Sequence, residues 1–578
     1  MNAIIELDQV TFRYPAQDGK SAPALQDISL TFHAGEFVVI LGANGSGKTT
    51  LARHLNGLLL PQTGRVLVGG LDTRQRSSLP TIRQRVGMVF HQPEDQIVAS
   101  TVEEDIAFGP ENLGLPAIEI RQRVDAAITA LGLEALRERP PHLLSAGQMQ
   151  RVALAGVLAM RPQCVVFDEV TSMLDPAGRR MTLKMMADLH SAGMVVLFVT
   201  HNMEEAAEAD RAIVLNQGQL AFDGPPRALF VHAWLEAWGL ELPPAASLAR
   251  RLRRFIPQVA ADALGIGELT ASLPAWGGSG PVRTEKVAAG HDRGDLLIDV
   301  RRLEHIYMAD TPLAVTALQD ANLQVEQGRA HALVGMTGSG KSTLLQHLNG
   351  LLRPQKGSVH VGPYHLEDLS VSTREMTRLA GLVMQNPEMQ FFEQYVGDEI
   401  AFGPKQLRIQ EPLAERVRWA MEWVGLGFSD FKDRLTITLS GGEKRKVALA
   451  SLLALKPGIL LLDEPTAGLD PHARREILAA LQRLGEQGMG LVLSSHQMED
   501  VAELALDVTA FYQGTSVLHG PAGELFGQFA QLHAIGLEAP AAAIAAARLR
   551  ELGWPIPEGI LSEEQLGRAV DGCVGTGL

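Results

Sequence analysis

The chain has 578 residues, 46% of them apolar, and 51 basic residues against 66 acidic ones, a net charge of −15. That balance argues against a protein that wraps nucleic acid, which would show a basic face, and no apolar run approaches the roughly 18 to 20 residues that a membrane span needs. The two cysteines, Cys164 and Cys573, make neither a disulfide framework nor a metal cluster, and a reducing cytoplasm fits them.

The opening MNAIIELDQVTFRYP lacks a basic region followed by a long apolar one, so no secretory signal is expected. The apolar run from Phe37 to Leu41 predicts a buried strand, and TTLARHLNGLL has helical spacing. Between them lies Gly42-Ala-Asn-Gly-Ser-Gly-Lys-Thr49, a G-x-x-x-x-G-K-[ST] phosphate loop in strand–loop–helix context. Gly42, Gly45 and Gly47 let the chain curl until the N–H groups of Asn44, Ser46 and their neighbours face phosphate oxygens. The helix beginning there, with Thr50 in its first turn, adds its positive end. Lys48 can reach the β- and γ-phosphates, and the Thr49 hydroxyl can ligate Mg²⁺.

Further along, VEEDIAFGPENLGLPAIEIRQRVDAAITALGLEAL has apolar residues at helical spacing in its second part, which predicts a helical subdomain inserted into an α/β core with a parallel sheet. Cys164 sits in the apolar run Cys-Val-Val-Phe and reads as a small buried hydrophobe. A Gly/Ser/Pro cluster, Pro274 to Pro281, and the polar run to Asp295 read as a linker.

After the linker the design repeats. The second loop is Gly335-Met-Thr-Gly-Ser-Gly-Lys-Ser342, with Thr337, Gly338, Ser339, Gly340, Lys341 and Thr343 in corresponding places. Lys48 and Lys341 are 293 residues apart, as are Gln92 and Gln385, while Asp168 and Asp463 are 295 apart. Two copies are too few for a solenoid, so this is a duplicated domain. The expected domains are 1–230, a helical extension 231–273, the linker 274–295, 296–525, and a helical tail 526–578.

Downstream of each loop the same motifs follow in the same order. The first half has Gln92, LSAGQ (Leu144 to Gln148), VVFDE (Val165 to Glu169), LDP (Leu174 to Pro176) and FVTH ending at His201. The second has Gln385, LSGGE (Leu439 to Glu443), LLLDE (Leu460 to Glu464), LDP (Leu469 to Pro471) and LSSH ending at His496. Together these resemble the Walker A, Q-loop, signature, Walker B, D-loop and switch-histidine motifs of ATP-binding-cassette (ABC) ATPases, twice over. The resemblance implies two tandem P-loop NTPase domains, each with a RecA-like parallel core, an antiparallel β portion and an inserted helical subdomain.

Residue types agree with that chemistry. Asp168 and Asp463 follow apolar strands, where a carboxylate at the strand's end can hold Mg²⁺. Glu169 and Glu464 come next and can polarise an attacking water. His201 and His496 can contact the γ-phosphate, and Gln92 and Gln385 offer an amide oxygen to the metal and the water. A lone histidine after a strand is usually structural; five other motifs in register reverse that reading. Tyr14 and Tyr307 each lie 34 residues before their lysine, and the resemblance implies stacking on adenine against a plain packing role.

In this family two ATPase domains close head to tail. The resemblance therefore implies that Lys48 works with Ser440, Gly441 and Gly442, and Lys341 with Ser145, Ala146 and Gly147. Ala146 departs from the usual glycine: on helical backbone it costs nothing, whereas at positive φ it is strained by about 1 kcal/mol or more. Val170 replaces the proline seen at Pro465, yet both glutamates and both histidines are present, so two competent sites are expected.

The segments after each glutamine, HQPEDQIVASTVEEDIAFGPENLGLP and MQNPEMQFFEQYVGDEIAFGPKQLRI, together with DEVTSMLDP, resemble the energy-coupling-factor (ECF) importers. That implies a transmembrane coupling subunit and a substrate-binding membrane subunit as partners, a peripheral place on the cytoplasmic face of the membrane, no nucleic acid, and uptake of a vitamin, vitamin precursor or transition-metal ion. Glu94, Asp95, Glu103, Glu104, Asp105, Glu393, Asp398 and Glu399 could meet basic coupling helices; the alternative is a solvated acidic face. A double-cassette ATPase of another importer, such as one for sugars, would share every ATP motif. A ribosome-acting double ATPase would need a long charged helical linker, which is missing here.

Overall fold

A computed structural model describes residues 3–15, 23–144, 146–171, 174, 176–277, 296–311 and 314–574. Ser145, most of the expected linker and the last four residues lie outside this set. The chain forms two compact units, Met1–Pro243 and Pro244–Leu578.

In the first unit, β1 (Ala3–Phe12) buries Ile5, Leu7 and Val10 and exposes Glu6 and Asp8, the alternation of a strand with one wet face. With β2 (Leu25–His33), β4 (Thr63–Val68) and β5 (Leu71–Asp72) it makes an antiparallel sheet in the order β2-β1-β4-β5. By contrast β3 (Phe37–Leu41), β7 (Cys164–Asp168) and β8 (Val195–Val199) are buried at every residue, as strands covered on both faces must be. They are the centre of a second sheet, β10-β9-β3-β8-β7-β6, completed by β6 (Val86–Val89), β9 (Arg211–Asn216) and β10 (Gln219–Gly224). Its pairings are parallel except at the β9–β10 hairpin. Between the paired neighbours β6 and β7 the chain leaves the sheet to form helices Val102–Asn112, Ala117–Ala130 and Ala146–Ala159, the inserted helical subdomain.

The second unit repeats this plan. An antiparallel sheet has the order β12-β11-β14-β15, built from β11 (Leu296–Tyr307), β12 (Val315–Glu326), β14 (Lys356–Val361) and β15 (Tyr364–His365). The other is β16-β17-β18-β13-β19-β20, from β13 (Ala330–Gly335), β16 (Ala380–Val383), β17 (Ile459–Asp463), β18 (Gly490–Ser495), β19 (Asp507–Tyr512) and β20 (Thr515–Pro521). The expected α/β class, parallel core and antiparallel portion are all present.

The segment read as an extension of the first domain is divided between the units. Helices Pro244–Leu252 and Ile266–Ser272 pack with Ala541–Glu551 and Glu563–Val574 around a separate core that includes Leu248, Leu252, Leu269, Leu549, Leu566 and Val570. Short amphipathic helices cannot bury an apolar stripe alone, and here the two tails complete each other.

Both thiols are buried, and burial pushes both up from their ordinary range. Native protein is therefore expected to leave Cys164 and Cys573 unmodified by Ellman's reagent at mild alkaline pH, with both reacting after denaturation. Rapid labelling of Cys164 in the native state would contradict its place in β7.

Candidate active site

The phosphate loops follow β3 and β13, and in each the glycines are required by geometry. Gly42 has φ +151°, and a Cβ there would lie 2.4 Å from the Leu215 carbonyl oxygen; Gly335, at φ +155°, would meet Phe511 O at 2.4 Å. Gly47 and Gly340 sit at φ +104° and +101° just before the helices Lys48–Leu55 and Lys341–Leu348. Each loop is tied down from outside, because the Gly218 N–H donates to Ser46 O and the Gly514 N–H to Ser339 O. Asn44 and Gly45, like Thr337 and Gly338, are the exposed tips, whereas Ser46 and Ser339 are buried.

Lys48 curls back over its loop, its Nζ donating to Gly42 O at 2.8 Å and Ala43 O at 3.1 Å. Lys341 does the same with Gly335 O and Met336 O, at 2.7 and 3.0 Å. The loop thus wraps a buried ammonium at the start of a helix, which is a site for a polyphosphate.

The carboxylates arrive at the ends of β7 and β17, each separated from the loop's own strand by one strand, β8 or β18. The Thr49 hydroxyl donates to Asp168 Oδ1 at 3.0 Å. Burial pushes both Asp168 and Asp463 up from the ordinary carboxylate range, against hydroxyl hydrogen bonds from Thr49 and from Ser494 and Ser342. Glu169 lies 3.6 Å from Lys48 Nζ and 3.8 Å from His201 Nδ1. Burial alone would raise it, but His201 and Lys48 hold it down to about 2. In the second half the His496 Nδ1–Glu464 Oε2 distance is 2.8 Å, and Glu464 is lowered against its burial by His496 and Lys341. The structure therefore brings Lys48, Thr49, Asp168, Glu169 and His201 together, and Lys341, Ser342, Asp463, Glu464 and His496.

Three features escape a motif reading. Glu169 and Glu464 have φ of +51° and +50°, a conformation costing on the order of 1–3 kcal/mol for a side-chain-bearing residue. It turns the chain sharply after the strand and leaves the glutamate beside the lysine. Next, Ser494 donates to Asp463 Oδ1 at 2.6 Å and accepts the Glu464 N–H at 3.0 Å; the first half has Val199 opposite Asp168. The visible signal was a serine pair ending an otherwise apolar strand. Lastly, buried Arg445 donates to Met384 O and Ala467 O, and burial lowers it to about 10. Gln150, 295 residues earlier, donates to Val170 O instead.

The remaining candidates sit at the periphery. Gln92 and Gln385 are exposed, three and two residues beyond β6 and β16. The Tyr14 and Tyr307 hydroxyls each lie 3.2 Å from a helix threonine, Thr50 and Thr343, and 43% and 37% of these tyrosines is exposed. Ser440 and Gly441 are exposed at the start of the helix Gly441–Leu453, with Gly442 buried behind them, and Ser440 and Glu443 form a reciprocal capping box. Ala146 opens the matching helix Ala146–Ala159, and Gly147 follows within it. A Cβ added at Gly441 meets nothing within 4 Å. On the helical backbone at this position an alanine is unstrained.

Two of the expected surface acids are structural. Asp105 is buried and its carboxylate accepts the N–H groups of Val98 and Ala99, at 2.8 and 3.1 Å. Glu399 accepts those of Phe392 and Glu393, both at 2.8 Å. Glu103 pairs with Arg137, and Asp398 with Lys405. Asp105 and Glu399 hold the loop after each glutamine to the helix behind it, and exposed on these segments are the apolar Val98, Phe108, Met389 and Phe392.

The ABC transporter family profile matches residues 25–172 and 318–467, more than half of the chain. The chain belongs to the ABC transporter family. Along 98% of its length it is 34% identical to a Methanosarcina mazei protein named as an ABC transporter ATP-binding protein, covering 97% of that relative. Over 278 residues, 47% of this chain and 97% of the relative, it is 51% identical to the energy-coupling factor transporter ATP-binding protein EcfA1 of Symbiobacterium thermophilum. Among solved structures, cbiO1 of Clostridium perfringens matches at 32% identity with a TM-score of 0.38, over 44% of this chain and 97% of that one. This ABC protein is an ATP hydrolase coupled to transmembrane transport. Among its described residues no helix is long and apolar enough to cross a membrane.

Proposed function

We propose that this chain is the energy-coupling ATPase of an ECF-type importer, driving uptake of a vitamin, a vitamin precursor or a transition-metal ion. The observation that carries the reading is the 51% identity to an EcfA1 over nearly half of the chain. The segments after Gln92 and Gln385 support it. In this reading the protein is peripheral on the cytoplasmic face of the membrane, held there by a transmembrane coupling subunit that stands beside a substrate-binding membrane subunit.

Within each ATP site Lys48 or Lys341 binds the β- and γ-phosphates, and Tyr14 or Tyr307 borders the adenine. Glu169 and Glu464, ionised beside a lysine, accept a proton from the attacking water, while His201 and His496 orient that carboxylate and the γ-phosphate. Mg²⁺ fits the donor set: Thr49 with Asp168 and Ser342 with Asp463 supply hard oxygens beside a phosphate cradle, and Gln92 and Gln385 supply amide oxygens. When bound it offsets phosphate charge. Closure pairs the Lys48 loop with Ser440, Gly441 and Gly442, whose helix start presents N–H groups, and the Lys341 loop with Ser145, Ala146 and Gly147.

The test is co-purification from detergent-extracted membranes, with the partners identified by mass spectrometry. A coupling subunit and a substrate-binding subunit are expected; recovery with permease subunits of a system that uses a periplasmic binding protein would overturn the ECF reading. The surface apolar residues give a sharper version. Phe108→Asp with Phe392→Asp is expected to release the membrane partner while ATP binding persists, because Phe392 is 73% exposed and supports no core. Undiminished association would remove these loops from the docking face.

A further inference from the structure

On the antiparallel sheet of the second unit, His360, next to last in β14, is the direct register partner of His365 in β15, across a two-residue Gly362-Pro363 turn. A cross-strand pair places both side chains on one face of the hairpin. Their ring centroids are 3.9 Å apart. Glu367 joins them: its Oε1 accepts the Val359 N–H at 2.6 Å, and its Oε2 stands 3.9 Å from His360 Nε2. One ligand atom from each of His360, His365 and Glu367 falls within 4.8 Å of the other two.

From this cluster we infer a divalent transition-metal site, separate from the ATP sites, with two imidazoles and one carboxylate as ligands and water completing the shell. Metal–ligand bonds of about 2.1 Å set ligand atoms about 3.4 Å apart in a tetrahedron. Contraction from the observed spacing requires only side-chain rotation, since His365 and Glu367 are exposed and His360 is half-buried. Imidazole-rich donors select Zn²⁺, Ni²⁺ or Co²⁺ over Mg²⁺ and Ca²⁺. Duplication supplies a comparison inside the same chain. The first unit has Leu67 paired with Asp72 in the same hairpin and Arg74 in place of the glutamate, and there Arg74 forms an ion pair with Asp72. One copy closes this corner with an ion pair, and the other assembles ligands for a cation. A bound metal would staple β15 to β14.

The test uses the chelator-stripped full chain without nucleotide. Calorimetric titration with Zn²⁺ is expected to show about one tight equivalent, and Co²⁺ alone should develop visible d–d bands. His360→Leu and Glu367→Arg, which install the residues of the first unit, should each weaken both signals at least tenfold. Both leave ATPase activity unchanged, since these side chains lie outside the ATP sites. Zn²⁺ binding no tighter than about 100 μM, or tight binding that persists in His360→Leu and Glu367→Arg, overturns the site.

Discussion

Glu169→Gln combined with Glu464→Gln is expected to cut ATP turnover by at least about 100-fold while ATP binding survives, since general-base contributions run to roughly 10²–10⁴. The substitution preserves shape and removes one proton acceptor in each half. Each glutamate lies beside a lysine and a histidine at left-handed φ, so no neighbouring carboxylate can take its place: Asp168 and Asp463 are engaged by hydroxyls. Because Glu169 is held down to about 2, it is ionised throughout pH 5–8 or so, and raising the pH should not rescue the variant. The sign follows from the shift. A depressed carboxylate contributes stability above its unfolded value and loses it as pH falls toward its folded one, so Glu169→Gln should also flatten the acid limb of unfolding near the lower end. Steady-state ATPase assays with nucleotide binding measured in parallel decide it. Turnover within a few-fold of the wild type would show that the glutamates are not the bases.

Trp554→Ala is expected to destabilise the second unit by about 3–5 kcal/mol, the range for emptying a buried aromatic site. Trp554 is 7% exposed, packs against Trp276 at 4.6 Å between ring centroids, and donates its Nε1–H to Pro274 O at 2.8 Å. It closes the core shared by the helices of 244–273 and the C-terminal tail, so the loss should loosen both together. Trp554→Phe restores most of the packing without the hydrogen bond and should cost on the order of 1–3 kcal/mol, mainly for the orphaned carbonyl. Thermal unfolding and limited proteolysis read this directly. Cleavage confined to residues 541–574, with 244–273 protected, would mean that the two tails fold separately.

The parts of this protein legible in sequence are those in which chemistry demands a residue type at a fixed spacing. A phosphate cradle needs glycine at Gly42 and Gly47 because backbone carbonyls leave no room for a Cβ, and the loop is recognisable wherever it occurs. Strand patterns were equally plain, since β3, β7 and β8 are covered on both faces and are apolar throughout, save for Asp168 at the end of β7. Interactions between distant segments left weaker traces. Asp105 and Glu399 looked like surface charges, yet each caps backbone N–H groups of the preceding loop; an acidic residue in a helix's first turn reads the same whether it faces solvent or a loop. His360, His365 and Glu367 meet only because a tight turn sets the register of β14 against β15.

Sequence by itself determined the duplication, the ATP chemistry and the family, because each rests on local residue types repeated in order. Tertiary structure decided how the tails are shared, which acids are structural, and how Glu169 and Glu464 are turned beside their lysines. Those outcomes depend on which buried surfaces find complements and which polar groups must be paired once water is excluded, and both are settled only when the chain closes on itself.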